Sequence, residues 1–284
     1  MVFRLIYLLV LLFIHLKSGQ QLYQTSDVMS RPGLFTAGAP HVSPYTVAII
    51  RENNWHKRCA GTLISDSFVL TAAQCVDCES AEVILGAYDI LVREKTQVRQ
   101  YISEDDVIFH PYYDPRTLDN DIALVKLPMS VKLTPFVNIA ELPDEDFHLD
   151  YGTKAYVTGW EKRLAGYSNI LTQAEVSILS KDKCISFWPT ARIADNKFCG
   201  SNTRREGQIP HLLGADCIID PGSPLTLHGN PDILIGFVSG DARCGSLLPE
   251  IFTNVASHKK WIDEVVGSSK GISSDYLKNE YMGQ

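Results

Sequence analysis

Seven cysteines and eight histidines carry the most distinctive chemistry in this chain, and metal binding, thiol exchange, disulfide formation or proton transfer could each use them. Metal binding finds no pattern, since there is no H-E-x-x-H pair and no acidic loop of EF-hand spacing. Cys75-Val76-Asp77-Cys78 has the C-x-x-C spacing of redox dithiols. It occurs once, with no βαβ pattern around it and no second pair to complete a zinc site. No metal and no cofactor is expected. The cysteines then read as disulfide partners wherever the compartment is oxidising, and seven leaves one over.

The first residues point to such a compartment. Residues 5–16 form the one long apolar run, with Arg4 before it and Lys17-Ser18-Gly19 after it, the layout of a secretory signal peptide. About a dozen apolar residues fall short of the roughly 20 needed to span a bilayer, so residues 1–19 are expected to be removed and the mature chain secreted without a membrane anchor. Losing Arg4 and Lys17 leaves 24 bases against 33 acids. With that balance and no Lys/Arg-rich run, a nucleic-acid partner is not expected.

The elements that must position any site are short and β-rich. Apolar, β-branched runs at 45–50, 61–64, 68–71, 82–85, 106–109 and 122–127 are separated by turn residues, and the same style returns at 154–158, 174–179, 233–239 and 251–255. No fixed-period repeat links the halves, which read as two similar β units. Trp261, Ile262, Val265 and Val266 recur at helical spacing, so one helix near the end is expected. At 284 residues with 45% hydrophobic composition the chain can bury a full core. The expected organisation is a signal peptide (1–19), a short stub (20–33), a β-rich domain (34–266) and a polar tail (267–284).

Several segments carry a specific resemblance. Cys59-Ala60-Gly61-Thr62-Leu63-Ile64-Ser65 and Val69-Leu70-Thr71-Ala72-Ala73-Gln74-Cys75 resemble the first half of the trypsin/chymotrypsin family of serine proteases. Asn120-Asp121-Ile122-Ala123-Leu124-Val125-Lys126-Leu127 follows in family order, then Gly159-Trp160, the loop from Cys184 to Cys199, and Gly236-Phe237-Val238-Ser239. The likeness spans about residues 32–266. It implies an all-β fold of two six-stranded antiparallel barrels with a C-terminal helix, and disulfides Cys59 to Cys75, Cys184 to Cys199 and Cys217 to Cys244. Cys78 is then unpaired, and stays open between a free or capped thiol and a disulfide to another chain.

The same resemblance implies a degenerate site. The family needs serine, histidine and aspartate acting together. Asp121 keeps the aspartate position and Asp119 reads as a loop residue. Gln74 stands where the histidine belongs, and an amide has no titratable proton near neutral pH. Where the family has Gly-Asp-Ser-Gly-Gly-Pro, this chain has Ile219-Asp220-Pro221-Gly222-Ser223-Pro224, which puts Pro221 at the nucleophile. Proline also lacks the N–H that the serine contributes to the oxyanion hole, and the β-branched Ile219 disfavours the backbone that aims the second donor. Ser223 reads as a turn serine, and none of His41, His56, His110, His148, His211, His228 or His258 sits in a motif that would place it beside Asp121. Losing one triad member costs about four to six orders of magnitude in rate.

In the specificity pocket Ala215 stands at the base, beside Ser239. Gly240 replaces the usual tryptophan, Asp241 a glycine at the mouth and Glu250 a glycine of the wall, so the pocket is altered or filled unless Asp241 and Glu250 turn out to solvent. In the family a cut after a basic residue frees an amine that pairs with the aspartate before the serine, a partner Asp220 preserves. That cut would fall at Arg31-Pro32, where proline resists trypsin-like cleavage, with Leu34 a rival start. A single uncut chain is expected.

Three functions follow as expectations. The first is a secreted, non-catalytic homologue that binds protein partners, such as a protease, a protease inhibitor or a component of an innate-immune cascade. The second is an enzyme with residual hydrolysis, and the third a structural component of a secreted fluid. Residues 20–33 contain no cysteine, which weakens a clip-domain arrangement, and there is no Asn-X-Ser/Thr sequon.

Overall fold

Alternation along the β-branched runs dictates strands with one or both faces buried, and a computed structural model of the chain forms seventeen of them among its described residues. Those residues are 36–37, 41–52, 54, 57–163, 166–188, 193–202, 216–240 and 248–268, all within the contact-defined unit Leu34–Gln284. The signal peptide, the stub, Ala215, Asp241, Cys244 and the tail from residue 269 lie outside the described residues. So does the expected Cys217 to Cys244 bridge.

The first half contributes β1 (Thr36–Ala37), β2 (Thr46–Arg51), β3 (Arg58–Leu63), β4 (Phe68–Thr71), β5 (Ser80–Leu85), β6 (Val98–Ser103), β7 (Val107–Phe109) and β8 (Ala123–Lys126). Seven of these pair antiparallel in the order β6-β5-β2-β3-β4-β8-β7. Only the short 3₁₀ turn Glu104–Asp106 separates β6 from β7, so the two are halves of one path and six strand positions close a barrel.

The second half contributes β9 (Lys154–Gly159), β10 (Glu161–Arg163), β11 (Gly166–Tyr167), β12 (Thr172–Ile178), β13 (Lys197–Asn202), β14 (Asp216–Ile219), β15 (Pro224–Leu227), β16 (Leu234–Val238) and β17 (Glu250–Asn254). Strands β12-β13-β17-β16-β15-β9 close through the β9–β12 pairing into a second six-stranded ring, with β1 laid along the start of β12. A small sheet β11-β10-β14, which periodicity did not indicate, stands beside it. Helix α1 (Lys181–Phe187) was likewise not indicated; the Ser180 hydroxyl caps it by accepting from the Lys183 N–H at 3.3 Å. The expected terminal helix is α2 (Lys259–Ser268), which runs two residues past the expected boundary at 266.

Each barrel has its own core. Val47, Leu63, Leu70, Val83 and Leu124 fill the first, and Val157, Leu225, Ile235 and Phe252 the second. Trp160 is fully buried in a third cluster with Ile50, Ile84 and Leu171, drawn from both halves, and its indole N–H donates to the Tyr88 carbonyl at 3.2 Å. Burying a side chain of that size stabilises by about 2–3 kcal/mol and joins the two barrels through this cluster.

Candidate functional site

Asp121 lies just before β8 and is fully buried. An isolated carboxylate there would be costly, so the fold surrounds it with donors. The Gln74 backbone N–H donates to Oδ1 at 3.0 Å, the Gln74 side-chain Nε2 to Oδ2 at 2.7 Å, and the Ser239 hydroxyl to Oδ2 at 2.7 Å. Burial pushes the Asp121 carboxyl up from its ordinary value, opposed by these three bonds and more distantly by Lys197.

Gln74 owes its position to local structure. It sits in the 3₁₀ turn Ala73–Cys75, pinned by the Cys59–Cys75 disulfide, and the Arg51 guanidinium donates to the carbonyls of Gln74 (3.1 Å) and Asp77 (2.7 Å) at the end of that turn. The second N–H of its Nε2 donates to the Ser239 carbonyl at 2.7 Å. Both amide hydrogens are therefore spent, and an amide nitrogen neither takes up nor gives up a proton near neutral pH.

The Pro221 turn packs on the first barrel from the other side. Ala60 N–H donates to the Pro221 carbonyl at 2.8 Å, and Gly222 N–H to the Val238 carbonyl at 2.8 Å. Gly222 has φ +81°, and a Cβ there would fall 2.0 Å from the Ala60 carbonyl oxygen, so only glycine fits. Ser223 is fully buried and its hydroxyl has no hydrogen-bond partner among the described residues. Sealed from water, it is a turn serine. Ile219 stands in β14 opposite Glu161 of β10.

In the pocket, Ser239 and Gly240 both donate their backbone N–H to the Ile251 carbonyl, at 3.0 and 3.1 Å. A Cβ on Gly240 would come within 2.5 Å of the Ile251 Cβ, so Ile251 closes the space beside this position. Glu250 is half-buried with Oε1 enclosed.

Cys184 pairs with Cys199, Cα atoms 5.7 Å apart, and Cys78 is a half-buried free thiol whose Sγ lies 3.5 Å from the Ser80 carbonyl. No described histidine hydrogen-bonds to Asp121. The His110 backbone N–H donates to the Ile122 carbonyl at 3.1 Å, while its ring packs edge-on against His258 and Trp261. Burial and then His258 push His110 down to about 4.

Two contributors gave no sequence signal. Lys197 of β13 reaches across the cleft to within 3.6 Å of Asp119, its side chain only 5% exposed, and burial lowers its pKa against the pull of Asp119 and Asp121. Arg58 of β3 binds Asp220 through an Nε to Oδ2 contact of 2.6 Å. Neither sits in a recognisable motif, because the pairings join residues 78 and 162 positions apart.

Two antiparallel barrels meeting at a cleft, with a buried, donor-caged aspartate between them, define the fold of the chymotrypsin-like proteases. The Trypsin family model matches residues 35–262. Granzyme B(G,H) of Mus musculus is 34% identical over 233 residues, covering 81% of this chain and 89% of its own length. Trypsin I-P38 of Gallus gallus is 32% identical over 237 residues, covering 81% and 87%. A solved structure titled "Structure of GrC" superposes with TM-score 0.70 at 29% identity, covering 82% of this chain and 98% of that one. The chain belongs to the trypsin-like family of serine proteases.

Proposed function

We propose that this protein is a secreted, non-catalytic member of the trypsin-like family that works by binding other proteins. The carrying observation is the Gln74 amide. It occupies the base position and commits both N–H groups, to Asp121 and to the Ser239 carbonyl. Pro221 adds to it, having neither a hydroxyl to attack with nor an N–H to stabilise an oxyanion. A single lost group leaves residual catalysis through the others; here base, nucleophile and one oxyanion donor are missing together. Two disulfides and the leader support secretion. The partner is a protein of an extracellular proteolytic or innate-immune cascade, either a protease whose action this fold regulates or an inhibitor for which it is a decoy.

The test is turnover of peptide thioesters with basic, acidic, aromatic and aliphatic residues before the scissile bond. Native protein should hydrolyse none of them faster than its heat-denatured counterpart. Substrate-selective turnover that disappears on heating would refute the non-catalytic reading.

A further inference from the structure

We infer that Arg58 supplies, from inside the chain, the cation that Asp220 requires, so that this protein reaches its finished fold without being cut near residues 31–34. Asp220 and Arg58 are enclosed, with side chains 5% and 2% exposed. A carboxylate in such a place needs a positive partner, and removing that partner leaves a buried charge uncompensated. Where the partner is a freed N-terminal amine, it exists only after cleavage. A guanidinium within a strand is present from synthesis onward.

The geometry is that of a built clamp. Arg58 Nε donates to Asp220 Oδ2 at 2.6 Å, Nη1 to the Ser168 carbonyl at 2.8 Å and Nη2 to the Trp160 carbonyl at 3.2 Å. One planar fork thus ties three segments of chain: β3, the 160–168 stretch that opens the second half, and the turn at 220. The main chain reinforces it, since Ala60, two residues along β3, donates to the Pro221 carbonyl. Asp220 in turn accepts the Ser223 N–H on its own carbonyl at 3.2 Å, which closes the turn around Gly222. Arg58 also precedes Cys59, the disulfide partner of Cys75, so the cation stands on the strand that anchors the Gln74 turn.

This concerns maturation and not catalysis, so its test is independent of any hydrolysis measurement. Backbone hydrogen exchange over residues 216–224 is measured in the uncut secreted chain and in chains beginning at Pro32 or at Leu34, released from a removable N-terminal tag. The three should exchange alike. Arg58→Met in the uncut chain should speed exchange in this segment by about tenfold or more, and Arg58→Lys by less. If Arg58→Met does not fold, the double variant Arg58→Met with Asp220→Asn, which removes both charges, should fold. Slowing of about tenfold on cutting the wild-type chain, unchanged exchange in a folded Arg58→Met, or failure of the double variant to restore folding would each overturn the inference.

Discussion

The two walls of the cleft have diverged differently. On one, Asp121 keeps its position and its donors from Gln74 and Ser239. On the other, the Pro221 turn is shaped by Gly222 and by Asp220 in its ion pair with Arg58. Folding depends on a buried carboxylate with three donors, a glycine no Cβ can replace and an aspartate in a buried ion pair. On the function proposed above, Gln74 and Pro221 stand where a protease would move protons and electrons. Gln74 holds Asp121 through two hydrogen bonds, one from its backbone N–H and one from a side chain that has no basicity near neutral pH.

That contrast can be broken at its strongest point by Asp121→Ala. It would leave the Gln74 backbone N–H, the Gln74 amide and the Ser239 hydroxyl without their acceptor, at a cost of about 3–5 kcal/mol in urea unfolding. Gly222→Ala should follow at about 3 kcal/mol, from a positive φ and a clash with the Ala60 carbonyl. A loss below about 1 kcal/mol at either position would mean that the retained residues are not held by folding.

Acid sharpens the comparison on the aspartate wall, where His110 packs beside Ile122. Its folded pKa of about 4 lies below the ordinary 6.5, so the unfolded chain binds the proton more readily. The stability this neutral ring contributes is complete above pH 6.5 and is lost as pH falls towards 4, by about 1–2 kcal/mol after allowing for its partial contact with solvent. His110→Phe should flatten that part of the stability-against-pH curve; an unchanged slope would place the titration elsewhere.

Pro221→Ser, by contrast, should change stability by less than about 1 kcal/mol, since the turn is held by Ala60, Gly222 and Asp220 and not by the proline ring. The smallest effect is expected at Cys78. A thiol half-packed against the first core should leave the protein at the same size on reducing and non-reducing gels, and a dimer band lost on reduction would show that it pairs with another chain.

The strands were legible in the sequence as short apolar, β-branched runs between turns, as in 45–50 and 174–179, and that they close into barrels was implied by the family resemblance of Thr71-Ala72-Ala73-Gln74-Cys75 and its companion segments. Segments without such a period were not legible. Strand β15 begins with Pro224, tolerated only because a first strand residue need not donate, and α1 is seven residues long with one fully buried side chain. At the site, residue types announced what Gln74 and Pro221 lack. They did not announce what Gln74 does instead, because its bonds to Asp121 and Ser239 span 47 and 165 residues. The clamp of Arg58 and the reach of Lys197 were hidden for the same reason: a lone basic residue in a strand gives no sign of a partner that only the closed barrels bring near.

The central claim is that no nucleophile remains in this cleft, and the most direct measurement is labelling of the purified secreted protein with a fluorophosphonate serine probe, beside a heat-denatured control. The predicted result is no labelling of the native protein above the control. Labelling of the native protein that is lost on heating would show that another serine has been activated, and would contradict the account.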